Sequence, residues 1–241
     1  MPSPDVPTRS RVPITLAGMV EGARLSVPLL PSVLVFAAAV GAASAEKGLT
    51  LGQATMMSFT VYAGASQLLA LQLWPQVWTP AAIAAMVLVT VAVNLRFVLM
   101  GAALQPWLSR MPPGTPYIGL ASLTDANFVI GSRYHSEGGD DAGVFLGCGL
   151  FLWLVWTLAT VPGHMLGFML TDPKRLGIDM VVPLVFTAMA LGMFQMRRDR
   201  LAWPVAAGVA VITAQLAGGY WFIVAGAAAG SLAAGALRGR S

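Results

Sequence analysis

The stretch AGVFLGCGLFLWLVWTLATV (142–161) decides the fold class. It carries no charged residue. A helix rises about 1.5 Å per residue, so the stretch is as long as the ~30 Å hydrocarbon core of a bilayer is thick. It does not alternate polar and apolar residues, as a strand of a membrane barrel would. Further apolar runs lie on both sides of it: 25–45, 52–73 (interrupted by Gly64), 80–104, 117–132 (shorter, and containing Asp125), 180–196, 201–217 and 219–237. Pro162-Gly163 breaks the quoted run, and 164–170 reads either as a short re-entrant piece or as its continuation. The expectation is an all-α, polytopic helical membrane protein with about seven or eight transmembrane helices. Broken helices and an inverted repeat fit this class; Pro28–Phe36 and Pro183–Phe186 hint at the repeat.

Composition agrees. Of 241 residues 57% are hydrophobic and 10% charged, with a mean hydropathy of +0.74. A soluble domain carries about 25% charged residues, so this chain has too little charge to cover an apolar core. Disorder is excluded by the same numbers, because it needs low hydrophobicity and high charge. The net charge of +4 does not point to nucleic acid, since the basic residues sit at the ends of apolar runs rather than in a patch interleaved with aromatics. The chain divides into a polar N-terminal tail and lead-in (1–24), a transmembrane domain (25–237) and a short cytoplasmic tail (238–241). The run after Arg24 reads as a retained first helix rather than a cleaved leader, because Pro28 and Pro31 open it and more spans follow.

Orientation follows from charge. With eight crossings and the N-terminus inside, nine basic residues lie inside (Arg9, Arg11, Arg24, Arg133, Arg197, Arg198, Arg200, Arg238 and Arg240). Four lie outside (Lys47, Arg110, Lys174 and Arg175). This bias places both termini in the cytoplasm. If 117–132 does not cross, every later loop changes side.

Two charges fall inside apolar runs: Arg96, in VTVAVNLRFVLMG (89–101), and Asp125, in GLASLTDANFVIG (119–131). Burying either costs roughly 2.5–3.5 kcal/mol on insertion scales. Arg96, beside Asn94, has three readings: it snorkels to an interface, clamps Asp125 or freed carbonyls, or faces the substrate path and grips a carboxylate with its two-pronged guanidinium. Asp125, flanked by Thr124 and Asn127, suits a proton carrier or an amine-binding group. It equally suits a helix cap at a break, where Thr124 or Asp125 satisfies backbone N–H groups. A third cluster, Tyr62-Ala63-Gly64-Ala65-Ser66-Gln67, is either tight helix packing with Gln67 as interhelical glue or the wall of a substrate cavity. Gly226 and Gly230 form a small-xxx-small pattern suited to packing, within this chain or against a partner. Phe151, Trp153 and Trp156 read as packing or interfacial aromatics.

Enzyme chemistry is not expected. Ser66 and His164 nominally supply an intramembrane serine protease, but Ser66 is followed by Gln67 rather than Gly, and paired intramembrane aspartates are absent. Cys148, the only cysteine, reads as a small apolar filler. With His135 and His164 the only histidines, a metal or haem site is not expected and no cofactor is implied. No Gly-Lys-Ser/Thr phosphate loop is present.

Taken together, GLTLGQATMMSFTVYAGASQLLAL (48–71), VAVNLRFVLMGAALQPWL (91–108), LTDANF (123–128) and LGIDMVVPLVFTAMALGMF (176–194), in this order, resemble the AzlC-type family of branched-chain amino-acid permeases. The resemblance implies gradient-driven export of valine, leucine, isoleucine or similar small zwitterions. It also implies a small membrane partner of the AzlD type. It carries over Gly64, Gln67, Asn94, Arg96, Thr124 and Asp125 as substrate-binding or gating positions. Ala126 stands where the family often has a second acid, which puts a two-carboxylate role in doubt. The competing expectation is a structural or regulatory membrane subunit, in which Arg96 and Asp125 are sealed into packing.

Overall fold

A computed structural model describes residues 12–169, 187, 201–216 and 221–238. Among the described residues all regular structure is helical: α1 (Leu16–Ser26), α2 (Leu30–Glu46), α3 (Leu51–Val61), α4 (Gly64–Gln72), α5 (Pro80–Leu108), α6 (Thr115–Ala121), α7 (Asp125–Ser136), α8 (Gly143–Met169), α9 (Ala202–Leu216) and α10 (Trp221–Arg238). Three stretches are long and apolar enough to cross a membrane: Leu16–Glu46, Pro80–Leu108 and Gly143–Met169. The chain is thus an all-helical membrane protein with three such stretches among the described residues. The runs at 180–196 and Pro183–Phe186 lie outside them. The described chain forms two compact units, one holding residues up to Gly64 together with Asn94 to the end of α8, the other Ala65–Val93 with α9 and α10.

In the first unit α8 is the axis. The lead-in at 14–24 is helical from Leu16 and passes through a 3-10 turn (Val27–Leu29) into α2, so the first span begins earlier than its apolar run. Pro28 and Pro31 each occupy a first-turn position, where a missing N–H costs nothing. This span runs parallel to α8 with the two backbones in contact. A side-chain carbon on Gly22 would strike the Val144 carbonyl, and one on Gly147 would strike Met19. Farther along, Gly41 meets Thr160, Gly163 meets Ala38 and Gly167 meets Ala42. Small residues permit this approach where no water can drive helices together. The parallel N-termini share one anion: the Asp141 carboxylate accepts from Thr15 N at 3.1 Å, from Gly143 N at 2.7 Å and from the Thr15 hydroxyl. A carboxylate there offsets the positive ends of both helices.

Pro162-Gly163 does not break α8, which continues to Met169, so 164–169 is a continuation. Proline forfeits one helical hydrogen bond, yet in lipid an interrupted backbone finds no water to replace the others, and Gly163 is held against the Ala38 backbone.

Residues 117–132 are split into α6 and α7, and the split decides between crossing and turning back. The Val12 N–H donates to the Arg110 carbonyl at 3.0 Å, Ala142 N–H donates to Pro13 at 2.9 Å, and Arg110 pairs with Asp140 at 3.2 Å. Trp107 stacks on His135, with centroids 4.8 Å apart. Residues 12–15, 107–111 and 135–143 therefore share one end of α8. Gly119 on α6 and Gly131 on α7 both face Phe145, while Ser122 and Asn127 face Gly149. So α6 runs inward along α8 and α7 runs back out: a re-entrant hairpin, not a span. At 7 and 12 residues the helices are about 10 and 18 Å long, each too short to cross about 30 Å. Arg110 and Arg133, placed on opposite faces by the charge count, belong to one face.

From the opposite end of α8 comes α3. Thr50 and Gln53 form a capping box at its start. His164 Nε2 meets the Leu49 carbonyl at 2.8 Å, Thr160 Oγ1 donates to Ser58 Oγ at 2.9 Å, and Trp153 Nε1 donates to the Phe59 carbonyl at 2.8 Å. The helix runs antiparallel to α8 and stops at Tyr62, level with Trp156 near the middle of Gly143–Met169.

In the second unit α9 packs on α10. Gly226 rests on Ala210 and Gly230 on Ala206, so the small-xxx-small pattern serves packing within this chain.

Candidate functional site

The site is built on two interrupted helices. Between α6 and α7 the chain unwinds at Ser122–Thr124. Thr124 is the N-cap of α7, with extended backbone at φ −137° and ψ 169°. Its N–H donates to Asn127 Oδ1 at 2.7 Å, and Asn127 N–H points back to Thr124 Oγ1 at 3.4 Å. Asn127 Nδ2 also donates to the Ser122 carbonyl at 2.8 Å. One fully buried side chain thus ties the last turn of α6 to the first turn of α7. Gly149 makes room for it: a carbon there would overlap the Ser122 hydroxyl and crowd the Asn127 amide.

This cap aims Asp125. As the first residue of α7 it sits at a positive helix end, and its Oδ2 meets Arg96 Nη1 at 3.0 Å. Both side chains are about one-third exposed, at 30% and 35%. The guanidinium also lies 5.0 Å from the centre of the Phe97 ring. The pair is single-pronged. Arg96 Nε and Asp125 Oδ1 are out of solvent, and neither makes a hydrogen bond among the described residues. Arg96 is twelve residues from the end of α5 at Leu108, or about 18 Å along the helix. That depth argues against snorkelling and for the clamp.

The second interruption lies between α3 and α4. Tyr62 caps α3 in the left-handed region, at φ 41° and ψ 43°, the one non-glycine residue with positive φ among those described. It is buried. Its ring lies edge-on to Trp156 at 6.3 Å, and its hydroxyl meets the Thr124 side chain. Gly64, which opens α4, lies so close to Trp156 and Phe36 that a methyl group would overlap both.

Of the expected positions, the structure brings Arg96 to Asp125 and places Thr124 beside them as the cap. Gly64 lies at the Tyr62 interruption of the same unit. Asn94 precedes Arg96 by two residues with its side-chain oxygen out of solvent. Gln67 is buried on α4 and belongs to the other unit. His164, raised as a hydrolase base, engages the Leu49 carbonyl. Cys148 is fully buried on α8.

Two residues outside the expected set shape the site. Asn127 was signalled by its spacing of three from Thr124, the spacing of a capping box. Trp156 carried no signal beyond being an aromatic residue in a span.

Comparison with known proteins settles the family. A family model described as AzlC protein matches residues 28–170, more than half of the chain and the first unit from α2 to α8. The chain belongs to the AzlC family. The match covers both interruptions and the Arg96–Asp125 pair. No curated protein and no solved structure matches the chain. The family and the apolar helices together make this AzlC protein a membrane protein with a transport function.

Proposed function

We propose that this AzlC protein exports branched-chain amino acids or similar small zwitterions across the prokaryotic plasma membrane. On this reading it uses an ion gradient and works with a small AzlD-type subunit. The observation that carries the reading is the unfinished ion pair. A bare charge at this depth is expensive, and a pair sealed for stability alone would close both prongs. Here one donor, Arg96 Nε, and one acceptor, Asp125 Oδ1, are left over. A zwitterion supplies the complement of both: a carboxylate oxygen for the guanidinium and an ammonium hydrogen for the carboxylate. Substrate binding then competes with the Arg96–Asp125 contact, which makes the pair a gate as well as a site. Broken helices occur at membrane depth where they line a cavity, and the Thr124 cap keeps the carboxylate at such a break. The second acid of the family is Ala126 here, so Asp125 is the single carboxylate at this point of the hairpin.

The test is efflux of labelled isoleucine, valine, leucine and an unrelated amino acid from loaded cells expressing the chain with and without its suspected small partner. Export confined to branched-chain substrates and lost in Asp125→Asn, at normal expression, supports the proposal. Unchanged efflux in Asp125→Asn removes Asp125 from the mechanism, and no efflux with either composition leaves a structural or regulatory subunit as the better description.

A further inference from the structure

Beyond the ion pair, the first unit holds another buried polar group with nothing to bond. Trp156 is 5% exposed, and its indole Nε1 makes no hydrogen bond among the described residues. Buried N–H groups are nearly always satisfied, and an exception calls for a reason. This one lies at the middle of α8 beside the interruption of α3, where Tyr62 adopts its left-handed backbone. A bulky residue in that region is strained, and such strain collects at ligand-handling sites. The surroundings are aromatic: Phe36 lies edge-on at 5.5 Å and Tyr62 at 6.3 Å. Gly64 closes the group with backbone alone. Trp153, one turn away, differs in the respect that matters, because its indole N–H donates to the Phe59 carbonyl. The chain can satisfy an indole on this helix and does not do so at 156.

We propose that Trp156 is a substrate-binding and specificity-determining residue: its indole N–H donates to an oxygen of the amino acid, and the Phe36, Tyr62 and Trp156 rings receive the branched apolar side chain. The assignment rests on the zwitterion reading of the Arg96–Asp125 pair and extends it to the apolar end of the substrate. Aromatic edges suit a bulky aliphatic group. A Cβ at Gly64 would overlap Trp156 and Phe36, so that position controls how the two rings sit and which side chain they accept.

The experiment uses the full chain, purified in detergent, with tryptophan 156 replaced by benzothienylalanine, which keeps the ring system and exchanges N–H for sulfur. Melting temperature without ligand and affinity for isoleucine and alanine are measured beside wild type and Gly64→Ala. The expected result is an unliganded melting temperature no lower than wild type, with isoleucine bound about tenfold more weakly, the size of a lost hydrogen bond to a charged group. Gly64→Ala should lower the preference for isoleucine over alanine by about tenfold. A melting temperature several degrees lower in the analogue overturns the proposal, because the N–H then serves a structural bond. Unchanged isoleucine affinity in a stable analogue overturns it as well. If the wild-type chain binds no amino acid at all, the zwitterion reading fails first and takes this assignment with it. That failure is visible before any substitution is made.

Discussion

The two interrupted helices of the first unit solve one physical problem in opposite ways. At Ser122–Thr124 the chain satisfies itself: hydroxyl, amide and backbone groups within six residues close the cap, with ordinary backbone angles throughout. At Tyr62 the chain has no such local answer. A bulky residue is held at positive φ by a ring packed on Trp156, a hydroxyl on Thr124 and a glycine pressed against Phe36. The first kind of break is stable in its own right and can present a charge, as it presents Asp125 to Arg96. The second exists only while its neighbours stay in place, and so it is suited to respond when something enters among them.

Substitutions can break or sharpen that contrast. The largest effect is expected where the self-capped break carries charge. A fully buried pair loses about 3–5 kcal/mol when one partner is removed. Arg96 and Asp125 are one-third exposed, so about 2 kcal/mol is a fair discount. Arg96→Ala should therefore lower stability by about 2 kcal/mol, and Arg96→Ala with Asp125→Asn should melt closer to wild type than the sum of the single effects predicts. Additive losses in a thermal melt would mean the pair is not coupled.

Next comes the strut of the cap. Asn127→Ala removes both the cap and the tie to Ser122 and should cost about 1–3 kcal/mol. Thr124→Ser, which keeps a hydroxyl, should cost under about 0.5 kcal/mol. Chemical denaturation in mixed micelles reads both, and equal losses would show that the cap is not what holds this break. Close approach should matter at both breaks to a similar degree. Gly149→Ala and Gly64→Ala each force a side chain into occupied space and should cost about 1–3 kcal/mol. A neutral Gly64→Ala would show that the tertiary-held break has slack the self-capped one lacks. The smallest effect is expected at Tyr62→Phe, which leaves the ring and backbone in place and should lower stability by under about 1 kcal/mol.

Much of this was legible in advance, for identifiable reasons. Apolar run length marks helices in lipid because every backbone group must bond within its own segment. Caps are legible because they are local: Thr50 with Gln53 and Thr124 with Asn127 announce themselves by a spacing of three. Arg96 and Asp125 stood out because charge in an apolar run is rare. The interruption of 52–73 was expected at Gly64 and occurs at Tyr62–Ala63, since glycine marks where a helix weakens while packing selects where it ends. Whether 117–132 crosses stays open on sequence alone, because apolar length does not reveal whether a segment turns back. That depends on Gly119, Gly131 and Gly149 nesting the hairpin against α8.

By itself, then, the sequence determined that this AzlC protein is helical, lies in a membrane and keeps an arginine and an aspartate at depth, because hydropathy, capping and charge burial act over a few neighbouring residues. Only the tertiary structure decided that the two charges meet, that Arg110 and Arg133 share a face and that Trp156 lies unbonded beside a strained tyrosine. Each of those facts joins residues far apart in the chain, and their meeting depends on backbone contacts between helices that no local pattern encodes.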